Sequence, residues 1–163
     1  MTPGDVSRLA MMVDYCDQVV LRVDRFKITF EDFKADRAMR DMLLMPTIQI
    51  GEISRSLSDE CKKEYLEESI WRAIRGFRNT TVHCYDRIDL LIAWDTITED
   101  VPKLEEELLA IPGVKESLNE LQMAQVAEQE SDGVSIDPLE LSYCGSHRQP
   151  EQTADSRLTN DER

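Results

Sequence analysis

The chain has 163 residues, 41% of them hydrophobic and 32% charged, enough for one folded domain with sequence to spare. Nineteen Lys and Arg stand against 33 Asp and Glu, a net charge of −14. That balance excludes a protein that holds nucleic acid through diffuse positive charge, so any RNA contact has to be local.

In chain order, Val6, Leu9, Val13, Cys16, Val20 and Val23 recur in steps of three and four and predict a first helix. Thr29 followed by Asp32 reads as an N-cap with an acid in the first turn, opening a second helix through Phe33, Met39, Met42 and Leu43. Pro46 lacks the backbone donor and should kink or break that helix, with Ile50, Ile53 and Leu57 resuming the stripe beyond it. Ser58, Asp59 and Glu60 open a short charged turn or helix to about Glu68. Ser69 then precedes a helix carrying Ile70, Trp71, Ile74 and Phe77. Gly76 weakens this helix by about 1 kcal/mol and would let another backbone come close.

From Asp89 the residues Leu90, Trp94, Ile97, Val101, Leu104, Leu108 and Ile111 form the clearest apolar seam, with a kink or restart expected near Asp100 because of Pro102. Val114, Leu118 and Leu121 permit a further short helix at 114–127. From Glu128 onward Ser, Asp, Glu, Gln and Pro dominate and predict a mostly disordered acidic tail, although Val134, Ile136, Leu139 and Leu141 could dock on a partner. No repeat and no strand pattern is visible. The expected fold is all-α, an antiparallel bundle of four to five helices over 1–112, with a C-terminal extension over 113–163.

No apolar run approaches the roughly 18 residues of a membrane span, and the N-terminus lacks the basic-then-apolar order of a signal peptide. A cytoplasmic protein without membrane contact is expected. Cys16, Cys61, Cys84 and Cys144 form no CxxC pair and do not cluster with the two histidines, so neither a zinc site, a disulfide framework nor a cofactor is expected.

The chemistry concentrates at 78–85, where Arg78, His83 and Tyr85 follow the spacing R-x-x-x-x-H-x-Y. Arginine holds a phosphate with a permanent charge and histidine exchanges protons near neutrality, a pair suited to phosphodiester cleavage without a metal. The segment is locally basic: Arg72, Arg75, Arg78 and Arg87 face a single acid, Asp86, over 72–87. These arginines could equally be a solvated helix face, and an Arg and a His near a helix end could simply satisfy its last carbonyls. On a regular helix Arg78 and Tyr85 share a face while Arg78 and His83 point about 140° apart. Either the helix breaks near Asn79 to Thr81, which the paired threonines favour, or two copies of the motif meet across a two-fold axis.

The run from Trp71 to Leu108, with Ile50-Gly51-Glu52 ahead of it, resembles the HepT-like branch of the HEPN superfamily over roughly Asp5 to Ile111. The resemblance rests on Ile-Gly-Glu, on Trp71-Arg72-x-Ile74-x-Gly76-x-Arg78-Asn79 and on R-x-x-x-x-H-x-Y in the family's order. The chain departs from the family's habit at Thr80, Thr81 and Cys84. The resemblance implies a helical homodimer with the motif at the subunit interface, acting as a metal-independent endoribonuclease toxin on tRNA or mRNA in a type VII toxin-antitoxin pair. It implies Arg78 and His83 as the catalytic pair and Asn79 in support, while Arg72, Arg75 and Arg87 remain candidates for RNA contact. It also implies an MntA-like nucleotidyltransferase antitoxin that silences the toxin by attaching AMP to Tyr85, placing a phosphodiester beside Arg78. Two other readings stand next to it. One is a catalytically weak HEPN bundle that serves to bind a nucleotidyltransferase; the other is a purely structural helical dimer built on the Leu90 to Ile111 seam.

Overall fold

The structure, a computed structural model, describes residues 1–131. Helix α1 (Pro3–Phe26) opens on a reciprocal cap: the Thr2 hydroxyl accepts from the Asp5 amide at 3.2 Å, and the Asp5 carboxylate accepts from the Thr2 amide at 2.9 Å. The same carboxylate accepts from the amide and hydroxyl of Ser58 at 3.0 and 2.9 Å, tying the start of α1 to the start of α4 (Asp59–Tyr65), which Ser58 caps. Asp5 is 1% exposed, and the hydrogen bonds from Ser58 and Thr2 hold its carboxyl well below the usual carboxylate range against the opposing effect of burial. Of the predicted stripe of α1, Leu9, Val13 and Cys16 lie in the core against α3 and α7 and Val6 and Val23 pack at its edge, but Val19 rather than Val20 is the buried residue between them.

The second predicted helix is in fact two. Thr29 and Asp32 form the expected cap for α2 (Phe30–Ala35), but the chain turns extended at Asp36, whose side chain accepts from the Ala38 amide at 2.7 Å and starts α3 (Arg37–Arg55). Two caps seven residues apart give two helices, and only the first stood out in the sequence. Pro46 does not break α3, which continues through it. The amide that Pro46 lacks would have bonded the Met42 carbonyl, and Arg22 of α1 donates to that carbonyl at 2.7 Å instead, so no buried acceptor is orphaned.

Helix α5 (Glu68–His83) follows, with Trp71 buried and its indole N–H donating to the Lys62 carbonyl at 2.8 Å. Asp89 caps α6 (Leu90–Asp95) through the amides of Leu91 and Ile92. A π turn at Thr96–Asp100 then leads into α7 (Val101–Leu109), with Pro102 in its first turn. The expected irregularity at Asp100 is therefore this wider turn, which leaves Pro102 where a missing donor costs nothing. Trp94 tilts against Phe30 and Phe33 at centroid distances of 6.2 and 5.4 Å. Ile97, Val101, Leu104, Leu108 and Ile111 are buried within this chain's own core, which removes the basis for a structural dimer built on that seam.

All elements among the described residues are helical, an antiparallel bundle in which α1 packs on α3 and α7, and α3 on α5. The compact unit spans Met1–Gln125 rather than ending at 112, because α8 (Val114–Ser131) buries Val114 and Leu118 in the same core. Gly113, at φ 83°, makes the reversal before it. The expected short helix at 114–127 is α8, which runs on through the first four residues of the expected disordered tail; the rest of that tail and the docking residues Val134 to Leu141 lie outside the described residues. No helix among the described residues is long and apolar enough to cross a membrane.

Asp5→Ala deletes the acceptor of four hydrogen bonds and should cost about 2–4 kcal/mol at pH 7. A depressed carboxyl stabilises above its unfolded value of about 4 and loses that contribution as pH falls toward its folded value. Urea unfolding should therefore show a gap between wild type and variant at pH 7 that narrows by pH 3. An equal gap at both pH values would contradict the reading.

Candidate active site

Helix α5 runs unbroken through Asn79, Thr80 and Thr81 to His83, so the first of the two alternatives, a break there, does not occur. Thr81 is buried, and its hydroxyl is satisfied within the helix by donating to the Phe77 carbonyl at 2.8 Å. The helix ends at Cys84, with φ −132° and ψ 35°, and Tyr85–Arg87 form a single 3-10 turn. His83 therefore stays on the helix and Tyr85 leaves it.

Regular helix geometry then groups the residues. Arg75, Asn79 and His83 are spaced by four and stack along one stripe, with Arg72 at its start and Arg78 on the flank nearest α3. Gly51, Arg55, Arg75, Arg78, Asn79 and His83 line one open cleft of about 470 Å³. Arg78 and His83 thus share a surface despite their 140° separation, because the cleft wraps around the edge of α5 onto α3. A second, mainly apolar depression of about 290 Å³ between α3, α5 and α7 carries no histidine or arginine.

Arg78 is 14% exposed at its side chain and is held from both sides. Its Nε and Nη2 both donate to Glu52 Oε1, and its Nη1 donates to Asn79 Oδ1 at 3.0 Å. Of the five donors of a guanidinium this leaves one N–H on each Nη to face the cleft. Glu52 also pairs with Arg55 at 3.6 Å, and Arg75 pairs with Glu68 at 2.8 Å. The cleft is a balanced network with oriented donors rather than a bare positive patch.

Close packing of α3 on α5 makes this possible. A Cβ on Gly51 would overlap the Cβ of Arg78 and come within 2.8 Å of its Cγ, whereas one on Gly76 would meet nothing within 4 Å. The glycine that permits close approach within the chain is Gly51, and Gly76 faces open space. Glycine at 51 brings the Glu52 carboxylate within reach of Arg78.

Tyr85 lies elsewhere. Its hydroxyl donates to Asp41 Oδ1, with the Arg37 guanidinium 5.6 Å from the ring centroid and 3.9 Å from the Asp41 carboxylate. Burial, then the hydrogen bond to Asp41 and its charge, hold the phenol above its ordinary range, with Arg40 and Arg37 pulling the other way. Asp41 and Glu52 are eleven residues apart on α3, or about 16 Å along its axis, so the Tyr85 hydroxyl and the Arg78 guanidinium occupy separate stations. Tyr85 does not line the cleft, and the expected juxtaposition with Arg78 does not arise within one chain. Arg72 and Arg87 are exposed, Arg72 on α5 and Arg87 in the 3-10 turn.

Sequence reasoning gave no role to Asp41 or Arg55, and it met Glu52 only as part of the Ile-Gly-Glu pattern, without a partner. The four-residue spacing of Arg75, Asn79 and His83 was available, but nothing in one sequence pairs residues of α3 with partners 26 or 44 positions away.

A family model described as "Ribonuclease HepT-like" matches residues 16–111. Among similar proteins is a "Probable ribonuclease HepT" of Thermococcus cleftensis, 27% identical over 97 residues, which cover 56% of this chain and 87% of that one. A protein of Caldanaerobacter subterraneus subsp. tengcongensis, also named as an RNase, is 28% identical over 103 residues, covering 63% and 89% of the two chains. Another named as an RNase, from Methanocaldococcus jannaschii, is 28% identical over 81 residues, covering 50% and 73%. No solved structure gives a significant match. The matched stretch is more than half of the chain and contains α3, α5 and every residue lining the cleft, so the protein belongs to the HepT-like ribonuclease family.

Proposed function

We propose that the protein is a metal-independent endoribonuclease, the toxin of a type VII toxin-antitoxin pair, with Arg78 and His83 as its catalytic residues. The observation that carries this reading is the single cleft in which an oriented Arg78 and an exposed His83 face the same space. RNA brings its own nucleophile. One His83 removes the 2′-hydroxyl proton, the 2′-oxygen attacks the phosphorus, and the 5′-oxygen leaves with a proton from an acid. Arg78 binds the non-bridging oxygens and stabilises their growing charge, while Asn79 keeps the guanidinium turned toward the cleft. The products are a 2′,3′-cyclic phosphate and a 5′-hydroxyl.

Each chain supplies one histidine to the cleft and the reaction moves two protons, which favours a homodimer whose two clefts meet. Arg75, Arg72 and Arg87 would hold flanking phosphates of a tRNA or mRNA. Silencing by an MntA-like nucleotidyltransferase would put AMP on Tyr85, adding a charge and a nucleoside at the α3 edge and competing with RNA by bulk rather than by filling the Arg78 site.

A second reading, a catalytically weak bundle that binds the nucleotidyltransferase, draws on the carboxylates of Glu52 and Glu68, which neutralise much of the cleft's positive charge. Expression decides between them: a nuclease arrests growth alone and is harmless with its partner, whereas a binder is neutral in both cases.

In excess chelator the purified protein should cleave RNA, and Arg78→Ala or His83→Ala should lower the rate by about 10²- to 10⁴-fold with helical content unchanged. Cleavage equal to wild type in either variant would overturn the assignment. Gly51→Ala gains about 1 kcal/mol of helix propensity but meets an overlap with Arg78 that costs roughly 1–3 kcal/mol, so it should lower both the melting temperature and cleavage. A stabilised, fully active Gly51→Ala would show that the contact does not matter.

A further inference from the structure

The cluster around Tyr85 has no part in RNA cleavage as derived above. It nevertheless brings a nucleophilic hydroxyl, a carboxylate and a guanidinium together at the start of α3. The Tyr85 hydroxyl points at Asp41 and at nothing in the cleft. The Arg37 side chain is 71% exposed and spans the ring and the carboxylate, so it can swing onto an incoming anion. Arg40, which also reaches the phenol, is anchored by donating from Nη1 to the carbonyls of Phe33 and Lys34 at 3.3 and 2.6 Å. Asp41, Arg40 and Arg37, all from α3, are the charged groups that face the hydroxyl.

We propose that these residues form a built-in acceptor site for nucleotidyl transfer, with Asp41 accepting the Tyr85 proton and Arg37 receiving the transferred phosphate. This rests on the reading above that Tyr85 takes AMP. In the step, Tyr85 Oη bonds to the α-phosphorus of ATP, and the bond from that phosphorus to the oxygen bridging to the β-phosphate breaks. Pyrophosphate leaves with the electron pair, and the phenolic proton passes to the Asp41 carboxylate and on to solvent. A phenol held neutral at physiological pH is a weak nucleophile without such an acceptor. After transfer the tyrosyl phosphodiester is an anion next to Asp41, and Arg37 offsets the repulsion. The modified chain thus supplies part of the chemistry of its own modification, and a tyrosine lacking these neighbours would be a poor acceptor for the same transferase.

The test uses the full chain with an MntA-like nucleotidyltransferase and ATP-magnesium, followed by intact mass and peptide mapping. Wild type should gain AMP on Tyr85. Asp41→Asn keeps an oxygen for the hydrogen bond but cannot take the proton, so its initial rate at pH 7 should fall about 100-fold. That rate should climb with pH toward wild type as the phenol ionises unaided, and Asp41→Glu should recover most of the loss. The Asp41 side chain is 49% exposed, so these variants should keep their helical content. Labelling of Asp41→Asn at the wild-type rate, or a slow rate with an unchanged pH profile, would overturn the role of Asp41 and leave Tyr85 as the acceptor. No AMP on Tyr85 in wild type would overturn the acceptor reading itself.

Discussion

The contact between α3 and α5 at Gly51 governs the arrangement of the cleft. Without a side chain at 51 the two helices approach until the Glu52 carboxylate meets the inner edge of Arg78, leaving the outer edge to Asn79 and the cleft. The charge balance follows from the same contact. An acidic chain with a mostly neutralised cleft offers little Coulomb attraction at a distance, so RNA cleavage as proposed would rely on a few donors fixed in direction.

Helix α3 also acts as a ruler between two side-chain clusters. Its start holds Asp41 and Arg37 against Tyr85, and its end holds Gly51 and Glu52 against Arg78, three turns further on. The helix termination at Cys84 brings this about by keeping His83 on the α5 stripe and sending Tyr85 around the corner to the other end of α3. An R-x-x-x-x-H-x-Y motif that looks like one site in sequence therefore serves two stations in space. Pro46 lies between them, and the Arg22 bond to the Met42 carbonyl keeps the ruler continuous.

Most of the fold was legible because apolar periodicity and capping chemistry are local. Most of the stripe of α1, the cap at Thr29, the starts at Ser58 and Asp89, and the seam through α7 read directly. The misreadings were of features whose outcome depends on distant partners. Pro46 was expected to kink or break its helix, yet α3 runs on through it, with Arg22 from α1 satisfying the freed carbonyl. Gly76 was given the close approach that belongs to Gly51, since which glycine faces a neighbour is settled by packing and not by propensity. A break of α5 at Thr80 and Thr81 was the favoured of two alternatives, but the tertiary packing that buries Thr81 outweighs a few tenths of a kcal/mol of propensity per residue. The chemical identities of Arg78, Asn79 and His83 were visible in sequence; the carboxylates that orient and separate them were not.

Replacing Glu52 with alanine and following steady-state RNA cleavage probes this arrangement most directly. Removing a negative charge should leave KM unchanged or lower, because RNA meets a more positive cleft, while kcat falls about tenfold or more as Arg78 loses its fixed direction. An unchanged kcat would mean that the α3 carboxylate does not position the guanidinium for cleavage, and the proposed link between helix packing and catalysis would fail.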